Sequence, residues 1–187
     1  MSRPIGIAQP GTPAGPGFDE PFEMLHACHE RVGRMLALMD KLRSHMRAHG
    51  VDDSVRQAAH DVMRYFDVAA PQHHRDEELH VFPALLGIQE AELVVLVARL
   101  QQDHIQMDAR WKAVRSLLEE VADGTRTAFN EADDAIFAGF QNVYELHLQA
   151  EESVAFPRAS ESMDDERIET MSRDMAGRRG VKQPPPN

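Results

Sequence analysis

An all-α fold is the class this sequence predicts: an up-down-up-down four-helix bundle with a short fifth C-terminal helix and a disordered tail at each end. Three observations predict it. Between Asp19 and Gly177 the apolar residues recur in steps of three and four, not two, as on helices that each bury one stripe. Capping and stopping residues divide that stretch into four long segments and one short one. The connections between segments are short, so neighbouring helices must run antiparallel. A chain of 187 residues is long enough to bury a real core in one domain.

Residues 1–17, MSRPIGIAQPGTPAGPG, hold Gly and Pro and no apolar run, and read as a disordered tail. They carry no basic-then-apolar leader and the chain no membrane-length apolar stretch, so a cytoplasmic protein is expected. The bundle is expected over 18–160. Helix one should run from about Pro21, acceptable in a first turn, to His49, with Gly50 as its stop. Its inward seam is Phe22, Leu25, His29, Val32, Leu36 and Met39. Helix two should start after the capping pair Asp52-Asp53 and reach about Leu86, stopped by Gly87. Its seam is Val55, Ala59, Val62, Phe66, Ala69 and His73. Pro71 inside it costs a backbone hydrogen bond and bends the helix just before His73.

Helix three is expected from about Glu90 to Ala122, ending at Gly124, with the seam Leu93, Val97, Leu100, His104, Met107, Trp111, Val114 and Leu118. Helix four should span about Ala128 to Ser160, with Ile136, Phe140, Val143, His147, Ala150 and Val154 inward. A short helix over 161–176, regular from about Asp164 to Ala176, follows. Residues 177–187, ending in three prolines, read as a second tail.

The net charge is −11, and all 31 acidic residues lie between Asp19 and Asp174. Such a surface repels nucleic acid and anionic membranes, so neither is an expected partner. One cysteine, Cys28, cannot make an internal disulfide, and no oxidising compartment is called for.

Each of the four seams replaces one apolar residue with a histidine: His29, His73, His104 and His147. An unpaired polar group in a core costs roughly 1–3 kcal/mol, so four at one level need a shared partner. Helices two and four also repeat one motif. His73-His74-Arg75-Asp76-Glu77-Glu78-Leu79-His80-Val81-Phe82-Pro83 and His147-Leu148-Gln149-Ala150-Glu151-Glu152-Ser153-Val154-Ala155-Phe156-Pro157 both read H-x-x-x-E-E-x-x-x-F-P. His29 precedes His104 by nearly the interval that separates the two motifs, so the bundle reads as two copies of one helical hairpin about a pseudo-two-fold axis. An i, i+4 step puts Glu77 one turn beyond His73, and Glu151 beyond His147, on the same face. Four imidazoles and two carboxylates converging in a bundle core form a two-metal site in which each metal takes two His and the glutamates bridge. Mixed N/O ligands without thiolate suit two iron ions first, manganese second and zinc third.

These residues resemble the hemerythrin-like family, the HHE cation-binding domain, over about residues 22–160. The resemblance implies a four-helix bundle around a non-haem di-iron centre with His29, His73, Glu77, His104, His147 and Glu151 as ligands. There are departures from the oxygen-carrying members. Those have a second histidine four residues along the third helix, where this chain has Asp108. Their last-helix carboxylate is an Asp five after its His, whereas Glu151 is four after His147. The paired H-x-x-x-E is more similar to bacterial proteins of nitrosative stress and iron–sulfur repair. Those carry an added N-terminal cysteine-bearing segment, and this sequence has the Gly/Pro stretch there. Ferritin-like bundles use the opposite order, Glu three before His.

Around this set, His26 is a candidate pocket residue or alternate ligand, His74 an interfacial residue, His80 a core group below the site, and Asp108 an extra ligand or an outer partner of an imidazole. Glu78 and Glu152, about 100° round from the seam, are expected at the surface or behind the ligands, so that removing Glu152 should leave both ions in place. Cys28 is expected to point away from the site, His45, His49 and His60 to be surface residues, and Trp111 to be core. The function expected is binding or sensing of a small diatomic, O2 or NO, with any signal passed to a separate protein partner. The competing readings are a di-iron oxidoreductase that consumes peroxide or NO, a ferroxidase, and an iron store or donor.

Overall fold

A computed structural model gives the structure of residues 17–181. Five helices make up the fold, and no strand occurs among the described residues. They are α1 (Pro21–His49), α2 (residues 53–88), α3 (Ala91–Ala122), α4 (residues 131–162) and α5 (Asp165–Arg178). Polar contacts between the long helices fix the antiparallel order. His29 meets Glu152 and Arg43 meets Asp134 across α1–α4, Cys28 meets Tyr65 and His45 meets the cap residue Asp52 across α1–α2, and His104 meets Glu78 and Arg115 meets Asp67 across α2–α3. The bundle is therefore up-down-up-down, as expected.

The helix ends follow side-chain chemistry. Asp52 caps α2 through Val55 N–H, and Asp164 caps α5 through Arg167 N–H. Asn130 and Asp133 form a capping box, so α4 begins at Glu131 and not near Ala128. Gly50 ends α1 at φ 78°. Gly87, by contrast, lies within α2, which continues to Ile88 and stops at Gln89, φ 63°. The tail expected from Gly177 is also shortened: α5 extends to Arg178 because Arg178 and Arg179 both pair with the fully buried Asp76, at 2.5 and 2.6 Å. The expected disorder of residues 1–16 and 182–187 lies outside the described residues.

Three widened, π-type turns interrupt the long helices, at Tyr65–Ala69, Glu77–Val81 and Glu151–Ala155. Each closes with an i→i−5 hydrogen bond, from Ala70 to Tyr65, Phe82 to Glu77 and Phe156 to Glu151. In each case the next residue is a proline: Pro71, Pro83 and Pro157. Proline lacks the N–H and its ring collides with the carbonyl four residues back, and a widened turn accommodates both without ending the helix. One extra residue per turn resets the seam. In α4 this brings Ala155 and Phe156 inside and leaves Val154 39 % exposed, correcting its expected core position. Upstream, Phe137 and Tyr144 join Phe140 in the core, with Ile136 and Val143 only packed against it.

Two apolar clusters fill the bundle. The larger joins α1 to α4 around Met39, Leu42, Val62, Phe66, Leu118, Phe137 and Phe140. The smaller is closed by α5, whose Met171 and Met175 pack on Leu25, Phe82, Leu85, Leu100 and Phe156. Full burial of such a side chain contributes about 1.5–3 kcal/mol. The seam histidines lie at the level between the two clusters.

Candidate metal centre

All six residues singled out from the sequence converge at that level. Glu77 and Glu151 are 0 % exposed, and His29, His73, His104 and His147 at most 6 %. They form two quartets that share both glutamates. In one, His29, His73, Glu77 and Glu151 each offer a ligand atom within 4.8 Å of the others; in the second, His104 and His147 do so with the same two carboxylates. The Nε2 of His73 is 2.9 Å from Glu77 Oε1, and that of His104 is 3.3 Å from Glu77 Oε2. Glu151 mirrors this, with Oε1 3.1 Å from His147 Nε2 and Oε2 3.2 Å from His29 Nε2.

These approaches are not hydrogen bonds. Both oxygens of each glutamate, and the Nε2 atoms of His29 and His73, are buried without a hydrogen-bond partner. Two buried carboxylates left so would cost several kcal/mol each. Lone pairs that crowd together without bonding one another are aimed at shared points, and a cation at each point satisfies them. Burial alone would push the His29 imidazole down, but the Glu151 and Glu77 carboxylates outweigh it and raise it to about 9. Burial likewise opposes the charged His73 and His104, and Glu77 prevails at both, holding them above their ordinary values. Burial would raise Glu77 itself; His73 and the neighbouring histidines hold it well below the usual carboxylate range. Imidazole nitrogen and bridging carboxylate oxygen, with no thiolate in either quartet, fit a pair of iron or similar divalent ions.

Every shared position of the repeated motif has a task, and two of the tasks cross between the hairpins. The Nδ1–H of His29 donates to Glu152 Oε1 at 2.5 Å, and that of His104 donates to Glu78 Oε1 at 3.1 Å. Each second glutamate thus steadies the first-helix histidine of the other hairpin. The motif phenylalanines cross likewise: Phe156 stacks on His29 at 4.9 Å and Phe82 on His104 at 5.6 Å. The expectation that Glu152 turns away from the site is corrected. It faces α1, where the widened turn after Glu151 and the neighbouring His26, 2.6 Å from its other oxygen, hold it. Of the two readings of Glu78 and Glu152, at the surface or behind the ligands, the structure bears out the second, while the stacking phenylalanines were not foreseen although both copies of the motif carry one.

The remaining candidates separate cleanly. His74 is buried, stacked on His104 at 4.1 Å, and its Nε2 has no hydrogen-bond partner. Burial, helped by the neighbouring His104, holds it well below its ordinary value. Cys28 does not point away: its thiol lies beside His73, though no hydrogen bond of regular geometry reaches either ring nitrogen. Asp108 is exposed and takes no part, because it follows Met107, the seam residue, by one step. His80 pairs with Asp174 of α5 at 2.7 Å. His45 pairs with Asp52, His49 packs on His45, and His60 is exposed. Trp111 is half-buried against Phe66 and Phe140 and donates its Nε1–H to Asp67.

No helix among the described residues is long and apolar enough to cross a membrane. The family model described as "Hemerythrin HHE cation binding domain" matches residues 20–159. An uncharacterized protein of Haemophilus influenzae (strain ATCC 51907 / DSM 11121 / KW20 / Rd) is 30 % identical over 166 residues, covering 89 % of this chain and 94 % of the relative.

Proposed function

The chain belongs to the hemerythrin HHE cation-binding domain family, and from that premise we propose that it is a non-haem di-iron protein that binds or senses O2 or NO. The observation that carries the proposal is the pair of buried quartets sharing Glu77 and Glu151. His29 and His73 would hold one iron and His104 and His147 the other, with Glu77 and Glu151 within reach of both. When bound, the metal pair supplies redox chemistry and open coordination positions for a small ligand. The chain supplies the rest. Four neutral imidazoles and two carboxylates fix the ions, Glu152 and Glu78 orient two of the rings, and Phe82 and Phe156 exclude water from one side.

The packing supports a diatomic ligand over an organic substrate. Leu25, Phe82, Leu100 and Phe156 on one side and Val32, Met107 and Tyr144 on the other are buried against the site's level. Tight packing of that kind passes diatomic molecules more readily than larger ones. The acidic surface and single cysteine support a cytoplasmic protein that does not bind nucleic acid, with any onward signal going to a protein partner. The test is iron analysis with optical spectra of the reduced protein before and after O2 or NO. Two irons per chain and a reversible ligand band support binding or sensing. Irreversible oxidation with peroxide turnover moves the assignment to an oxidoreductase, and ready loss of iron to a chelator moves it to a store or donor.

A further inference from the structure

His74 is the buried histidine that the two quartets leave unused. It is 7 % exposed, and its Nε2 has no hydrogen-bond partner. A buried nitrogen left so is costly, because it has given up water and gained nothing in return. The repeated motif does not require a polar side chain there: the second copy carries Leu148 at the same place, packed on the larger apolar cluster. Yet His74 sits against the centre. Its ring centroid lies 4.1 Å from that of His104, 6.0 Å from His73 and 6.3 Å from His147, with Tyr144 at 6.1 Å.

His74 is not itself placed as a ligand. It belongs to neither quartet, and its ring plane lies within 12° of the His104 plane. The lone pairs of two imidazoles stacked in this way run side by side in separate planes, so both cannot point at one ion. A small molecule held at the centre on the His74 side of the His104 plane comes between the two planes and into hydrogen-bond range of His74. We infer that His74 retains a small ligand at the centre: its Nε2–H donates to the negatively charged end of a bound diatomic or small anion. The inference rests on the reading of the centre as a metal site for small ligands. Burial keeps the ring neutral, so His74 brings one N–H and no further positive charge. Such a donor selects by charge: a ligand whose outer atom gains negative charge is held, and one that gains none is not. A hydrogen bond to a charged group is worth about ten- to a hundredfold in affinity, and where water can replace the donor the lower end applies.

The test is azide binding to the iron-loaded, oxidised protein, read from the absorption band of the complex and from the stretching frequency of bound azide in H2O and in D2O. Wild-type protein binds azide, and the stretch shifts in D2O because an exchangeable N–H touches the ligand. His74→Leu, which copies the second motif, keeps the wild-type iron content, binds azide about tenfold more weakly and loses the deuterium shift. His74→Phe, which keeps a ring against His104, behaves in the same way, and His74→Gln, which retains an N–H donor, recovers part of both effects. Melting of each metal-free variant checks that it is folded. An unchanged azide affinity or an unchanged deuterium shift in the folded apolar variants overturns the inference, and so does a wild type without the shift. Loss of iron from folded His74→Leu makes His74 a ligand and overturns it as well. A wild type that takes up no iron, or whose iron binds no azide, overturns the small-ligand reading and the inference with it.

Discussion

Glu152→Ala tests whether a half-exposed carboxylate outside the ligand set governs the ions inside it. The substitution removes the acceptor 2.5 Å from His29 Nδ1 and leaves the Nε2 face of that ring untouched. Two things are lost: the bond that fixes the ring's tautomer and tilt, and the negative charge that strengthens it as a donor. Outer partners of this kind are worth 10–100-fold in affinity. Glu152 is 39 % exposed and water can take its place, and Phe156 still stacks on the ring, so the lower bound applies. That is about tenfold, or ~1.4 kcal/mol, on the ion held by His29. The assay is chelator competition on wild type, Glu152→Ala, Glu78→Ala and, as a surface control, Glu145→Ala. The symmetric argument predicts a similar loss for Glu78→Ala at the ion held by His104. Affinities unchanged in both variants would refute the claim that the motif's second glutamate acts through the facing histidine.

Glu77→Ala and Glu151→Ala should each lower metal content well below two per chain, measured by elemental analysis, because each removes a bridge and its charge from between two cations. Loading metal at pH 7 should release protons, measured with an indicator dye in weak buffer. Carboxylates raise His29, His73 and His104 above their ordinary values, and an imidazole must be neutral to ligate. By the same competition, apparent metal affinity should fall steadily as pH drops below about 9, where His29 takes up its proton, and full occupancy at pH ~4 would exclude histidine ligation. The double variant Arg178→Ala, Arg179→Ala strands the fully buried Asp76 and should cost about 3–5 kcal/mol in denaturant unfolding. A loss under 1 kcal/mol would mean that α5 does not hold Asp76 as the ion pairs indicate.

The buried cluster of six candidate ligands was legible because helical period and side-chain chemistry agree: a histidine where the seam expects Leu, followed in two helices by glutamate four residues later, leaves little freedom. The helix limits were legible wherever a cap was chemical, as at Asp52 and Asp164. What failed was uniform phase. A constant step of three or four carries Val154 inward, but the hydrogen bond from Phe156 to Glu151 inserts a residue and turns it out. The three prolines that mark these widened turns were visible; that they widen the helix, and do not merely bend it, depends on neighbouring helices holding it together. Asp76 was opaque for a different reason. Its partners, Arg178 and Arg179, are about a hundred residues away in a stretch that reads as tail.

The exchange of glutamate and phenylalanine between hairpins makes each half hostage to the other. A fragment ending after α2 would own His29, His73 and one bridging carboxylate, yet the groups that steady His29 would be missing with α4. The same holds for the second half, whose His104 leans on α2. Neither hairpin holds these supporting contacts within itself. Two fragments made apart should regain the centre only when mixed, whereas new termini opened at Gln89 or Glu90, with the old ends joined, would leave every reciprocal contact within one chain.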